Sequence, residues 1–113
     1  MATMLLVQGD TKTQIQSTLT RANDGSVIDL NVASSVVMRF RRLHSTEILF
    51  TLTASQAAPT DFANGKATFT FSGNNLDIDA GDYEGEIEIT YVSDSTKETV
   101  FEVLRFIVRE DFA

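Results

Sequence analysis

The 113-residue sequence predicts one all-β domain spanning 1–113, an antiparallel sandwich of seven to eight strands. Three observations predict it. Apolar residues recur at every second position along most of the chain, the period of a strand with one buried face. Turn-forming clusters, among them Asn23-Asp24-Gly25-Ser26 and the run from Ser93 to Lys97, separate the alternating segments at the spacing of a sandwich. No stretch keeps a helical period beyond one or two turns, and only Ala54–Ala58 offers even a short one.

The elements follow in order. Thr3–Gln8 is a short apolar strand, and Thr13–Thr20 alternates with Ile15, Ser17 and Leu19 on one side. Asn, Asp and Gly tolerate positive φ, so Asn23–Ser26 is a turn, with Val27–Leu30 a short return strand. Val36–Leu43 places Val36, Met38 and Phe40 inward and Arg39 and Arg41 outward. Glu47–Thr53 sets Ile48, Phe50 and Leu52 against Glu47, Leu49 and Thr51. Pro59, the only proline, marks a polar loop. Lys66–Ser72 buries Ala67, Phe69 and Phe71. Tyr83–Val92 is the cleanest strand, with Tyr83, Gly85, Ile87, Ile89 and Tyr91 on one face and Glu84, Glu86 and Glu88 on the other. Glu98–Arg109 is the last and longest.

Composition removes whole classes of function. Without cysteine there is no disulfide framework, thiolate zinc site or cysteine nucleophile. Nine basic against sixteen acidic residues give a net charge of −7, a poor footprint for phosphate backbones, so no nucleic-acid partner is expected. No apolar run approaches the roughly 20 residues of a membrane span, and the N-terminus lacks the basic-then-apolar pattern of a secretion signal. No glycine-rich phosphate loop, G-x-S-x-G elbow or H-E-x-x-H is present, and the one histidine, His44, lies among turn hydroxyls. No catalytic residue, cofactor or bound metal is expected.

Four constellations stand out. Asp77, Asp79 and Asp82 around Gly81 suggest a calcium loop, but the distal Glu and one oxygen ligand of such a loop are missing. Asp79-x-Gly81-x-Tyr83 instead has the spacing of a tyrosine corner, in which a tyrosine at a strand start bonds upstream backbone in an immunoglobulin-like sandwich. Arg39, Arg41 and Arg42 form the one basic cluster. Arg39 and Arg41 either meet an acidic partner or pair internally with Glu86 and Glu88 on a neighbouring strand, and internal pairing accounts for both clusters together. The last strand is apolar on both faces, with Phe101, Val103 and Ile107 on one and Val100, Leu104, Phe106 and Val108 on the other. It is either bulged so that its register flips, or packed on another subunit through Phe101, Val103 and Ile107. Met4, Leu5 and Leu6, apolar on consecutive positions, are the second candidate for such an interface.

The order of segments is itself distinctive: Gly9-Asp10-Thr11, Ile15-Gln16-Ser17-Thr18-Leu19-Thr20, Asn23-Asp24-Gly25-Ser26-Val27-Ile28-Asp29-Leu30 and Val36-Val37-Met38-Arg39-Phe40-Arg41. Asn64-Gly65-Lys66-Ala67-Thr68-Phe69, Ala80-Gly81-Asp82-Tyr83-Glu84-Gly85-Glu86-Ile87-Glu88-Ile89-Thr90-Tyr91 and Thr99-Val100-Phe101 complete it. From about Leu5 to Val108 the chain resembles the N-terminal domain of the baseplate upper protein family of tailed bacteriophages, an immunoglobulin-like sandwich. It departs from that family in its turn Ser93-Asp94-Ser95-Thr96-Lys97, where an aspartate-glycine pair is usual, and in ending at Ala113, where the family continues into a region that engages receptor-binding proteins. The resemblance implies a structural protein of the virion, a tail or baseplate adaptor docking other virion proteins in a symmetric, multi-copy assembly. The alternatives are a head protein decorating the capsid or neck, and a carbohydrate- or receptor-binding module. A sequence without Trp and with two tyrosines, both read as inward, disfavours the last.

Overall fold

The computed structural model describes residues 3–21, 24–93, 95–100 and 103–112. The alternating segments become eight strands: β1 (Thr3–Val7), β2 (Gln14–Thr18), β3 (Ala33–Arg42), β4 (Ile48–Thr53), β5 (Lys66–Thr70), β6 (Gly81–Tyr91), β7 (Lys97–Thr99) and β8 (Leu104–Arg109). One sheet runs β1-β8-β6-β3-β4, with β7 also on β6, and the other is the pair β2-β5. The central pair β3–β6 is antiparallel. Val36↔Ile89, Met38↔Ile87 and Phe40↔Gly85 alternate with Val37↔Glu88, Arg39↔Glu86 and Arg41↔Glu84. Since side chains alternate, the first set faces the second sheet and the second set faces solvent.

The space between the sheets is filled by aromatic rings. Phe40 stacks on Phe50 at 4.6 Å and on Tyr83 at 5.2 Å, and meets Phe106 at 5.1 Å. Phe71, one residue beyond β5, turns its edge to Phe40 at 5.7 Å and to Phe106 at 6.0 Å, tying the small sheet to the large one. Gly85 makes this packing possible. A Cβ there would lie 2.8 Å from Met38 Sδ, closer than real Cβ atoms come, and a tight 3.1 Å from the Phe106 ring.

At the crossing from β5 to β6 the Tyr83 hydroxyl donates to the Asp79 carbonyl at 2.5 Å, the predicted corner. The order β8-β6-β3-β4 opposite β2-β5, with this corner at the start of β6, is that of an immunoglobulin-like sandwich. One pair departs from the antiparallel expectation: β1 runs parallel to β8. The two strands come from opposite ends of the chain, so no tight turn constrains their direction.

Three further differences have local causes. Val27–Leu30 contributes only the bridge Thr20↔Val27, because the Asp29 carboxylate accepts the Asn31 N–H at 2.9 Å and winds Leu30–Val32 into a 3-10 turn. The short helical turn forms at Phe62–Asn64, not at Ala54–Ala58, and ends on Gly65, whose φ of 73° few side chains adopt. In β4, Phe50 faces Phe40 but Ile48 faces Arg41, so Leu49 is an extra residue and Ile48 turns to the outer face instead of the core.

The long last strand is two strands. Thr99 pairs with Glu88 and Val100 donates to the Ile87 carbonyl, while Leu104 pairs with Gly85. From Val100 to Leu104 the chain advances four positions while β6 advances two, from Ile87 to Gly85, and the even excess preserves the faces. Val100, Leu104, Phe106 and Val108 all pack on the core, and the register does not flip.

Candidate functional site

The outer face of the large sheet carries most of the residues that the sequence singled out. Its centre is a charge ladder. Arg41 Nε lies 2.7 Å from Glu84 Oε2, its partner in register. Arg39 stands opposite Glu86 but reaches diagonally to Glu88, at 3.3 Å, and Lys97 approaches the same carboxylate at 3.8 Å. The expected pairing of the arginines with Glu86 and Glu88 thus holds for Arg39–Glu88 and is replaced by Glu84 for Arg41. Among the described residues Glu86 makes no ion pair. Such cross-strand pairs contribute about 0.2–1 kcal/mol each. Arg42 belongs to the opposite face: its guanidinium lies 5.2 Å from the centre of the Tyr83 ring and donates to the Tyr83 hydroxyl at 3.2 Å, bracing the corner.

Beside the ladder is an apolar edge. β1 and β8 set Leu5 opposite Ile107, and both side chains stand out of the sheet, 78% and 43% exposed. Their neighbours in sequence do the reverse. Leu6 is 2% exposed, Met4 packs against the core, and Phe106 and Val108 are buried. Of the proposed interface residues, therefore, Leu5 and Ile107 come together on the surface, while Met4 and Leu6 are withdrawn into the core by strand alternation. Val103 is half-buried above the ladder, where it lines a cavity of about 40 Å³ with Ile48, Arg39, Arg41, Glu84 and Glu86. That is room for a few waters only. Phe101 lies outside the described residues.

Two arginines near this edge went unnoticed in the sequence because what they flank depends on the pairing of β8 with β1. Arg105 lies opposite Thr3 and Arg109 opposite Val7, so both flank Leu5 and Ile107 on the outer face. Arg105 makes no ion pair among the described residues; Arg109 donates to the Glu110 carbonyl and stacks over the exposed Phe112 ring at 5.1 Å.

Of the aspartates in the suspected calcium loop, Asp79 is otherwise employed. Asp79 gives its carbonyl to Tyr83 and its carboxylate to Arg42 at 3.5 Å. No group of three potential metal ligands occurs among the described residues. Burial raises the Tyr83 hydroxyl above its ordinary pKa. Burial also raises Tyr91, and its donated bond to Glu98 adds to the shift. Tyr91 is only half-buried: with Asn31, Val32, Val92 and Ser93 it lines an open depression of about 530 Å³ at one end of the sandwich. His44 occupies a left-handed turn position, φ 65°, in the β3–β4 hairpin. No helix among the described residues is long and apolar enough to cross a membrane.

No protein-family model matches the chain, and no curated protein matches it.

Proposed function

We propose that this chain is a non-enzymatic structural component of a tailed-phage particle, a tail or baseplate adaptor that holds neighbouring virion proteins through the outer face of the β1–β8 edge. The observation that carries the reading is the Leu5–Ile107 pair. The core is complete without these two side chains, since Leu6, Phe106 and Val108 fill it, so the apolar surface they expose is surplus to folding. Paired apolar side chains on an unguarded sheet margin offer a neighbour both contact surface and a pairing edge. The segment order quoted above, which resembles the baseplate upper protein family, supplies the virion context.

Adaptors of this kind act by assembly in many copies, and their contacts depend on buried apolar surface because rim charges are screened at physiological salt. The test is mass spectrometry of density-banded particles from the phage that carries the gene. A structural component is present in many copies per particle and resists high-salt washing. A chain found only in the unassembled lysate fraction contradicts the reading.

A further inference from the structure

We infer that the free edge of β1 accepts an added strand, namely an extended segment of a neighbouring protein that is apolar at its centre and carries a carboxylate two residues to either side. This names the partner's chemistry at the same edge and rests on the assembly reading above.

Register decides which backbone groups of β1 are free. Gln8 N–H donates to the Arg109 carbonyl, just past the pair Val7↔Arg109. In a strand, the N–H and C=O of one residue point to the same side and alternate along the chain. Met4 and Leu6, in phase with Gln8, therefore bond β8, and the N–H groups of Thr3, Leu5 and Val7 point out of the sheet. β1 ends the strand order, so no described strand takes these donors. Natural edges are usually guarded by charge, proline or a bulge. The run Thr3-Met4-Leu5-Leu6-Val7 has none of these, whereas the opposite edge, β4, carries the bulge at Leu49.

The side chains of the edge select the occupant. An added strand places alternate residues beside Thr3, Leu5 and Val7 on the outer face. The central one meets Leu5 and Ile107 and is best apolar. The outer two lie beside Thr3 and Val7, with Arg105 and Arg109 one strand beyond. That gap is two ladder spacings, about 9–10 Å, and a guanidinium and a carboxylate close it by leaning over the intervening short side chains. On the inner side Glu84 stands opposite Arg105 but is held by Arg41, which leaves Asp82, opposite Ile107 and diagonal to both arginines, as one carboxylate beside two guanidiniums. A second copy is the poorer occupant. Antiparallel self-pairing centred on Leu5 would set four guanidiniums around the seam with no carboxylate between them.

The probe is a labelled, end-blocked heptapeptide, Thr-Glu-Val-Leu-Val-Glu-Thr, with a control carrying Lys for both Glu. Fluorescence anisotropy reads affinity, and native-state amide exchange by NMR reads the edge. The expected result is saturable binding of the Glu peptide that weakens with salt, and binding of the Lys peptide about tenfold or more weaker. Slowed exchange should appear at Thr3, Leu5 and Val7. Leu5→Lys, at an exposed position, should abolish binding with the fold intact, and Arg105→Glu should favour the Lys peptide. No saturation below ~1 mM, equal affinity for the two peptides, or protection elsewhere would overturn the assignment. So would a chain that dimerises alone with the same amides protected. Peptide binding by a chain absent from particles sinks the virion reading and leaves the edge; a particle-borne chain that ignores the peptide does the opposite.

Discussion

Replacing Tyr83 by Phe isolates one bond at the corner. The ring is fully buried and stacked on Phe40 at 5.2 Å, so the substitution keeps the packing and removes only the hydroxyl. Two contacts go with it: the donation to the Asp79 carbonyl at 2.5 Å and the acceptance from Arg42 at 3.2 Å. A typical internal hydrogen bond contributes about 0.5–1.5 kcal/mol, and the half-exposed arginine can turn to water, so the first loss dominates and the expected cost is about 1–1.5 kcal/mol. For a domain of this size that lowers Tm by about 4–8 °C. Urea denaturation followed by circular dichroism measures it, with an unchanged m-value showing that the unfolding reaction is the same. Tyr83→Ala should cost about 3–5 kcal/mol, because it also opens a cavity among the rings. A Phe variant as stable as the parent would refute the corner as a stabilising device. A Tm that rises by several degrees with calcium and falls again with a chelator would refute the metal-free account of Asp79 and its neighbours.

Other consequences are as direct. A double-mutant cycle on Arg41 and Glu84 should give a coupling of a few tenths to ~1 kcal/mol, whereas Arg41 with Glu86 should give none, as checked by chemical denaturation. Alanine at Gly85 should destabilise by about 1–3 kcal/mol through its clash with Met38 and Phe106, read as a shifted denaturation midpoint. Both tyrosine hydroxyls are raised above their ordinary value of about 10, which means that the folded state disfavours the phenolate. Their contribution is therefore complete below pH ~10 and is lost as pH rises above it, so a Tm-versus-pH series should fall in that range and fall less steeply in Tyr91→Phe.

What the sequence made legible was what depends on alternation alone. The inward faces of β3 and β6 were readable because Val36, Met38 and Phe40, and Tyr83, Gly85, Ile87 and Ile89, repeat strictly at every second position. The corner was readable because its residues are four apart. Features set by strand pairing were not. The extra residue at Leu49 moves Ile48 outward, and no local signal distinguishes Ile48 from Phe50 or Leu52. Arg41 chooses Glu84 over Glu86 because of an inter-strand register that neither strand encodes alone. The two-sided apolar look of Met4, Leu5 and Leu6 hid a simple division, with Leu5 outward and its neighbours inward, which became visible once β1 was set beside β8. Arg105 and Arg109 acquire their meaning at the same moment.

The central claim is that this chain is built into a virion by its β1–β8 edge. Electron cryomicroscopy of intact particles tests it most directly, by locating the sandwich and the density against Leu5 and Ile107. The account predicts repeated copies of the domain in the tail or baseplate, each with a neighbouring protein's strand lying along Thr3–Val7. Particles that lack the domain, or that hold it with this edge open to solvent, would contradict it.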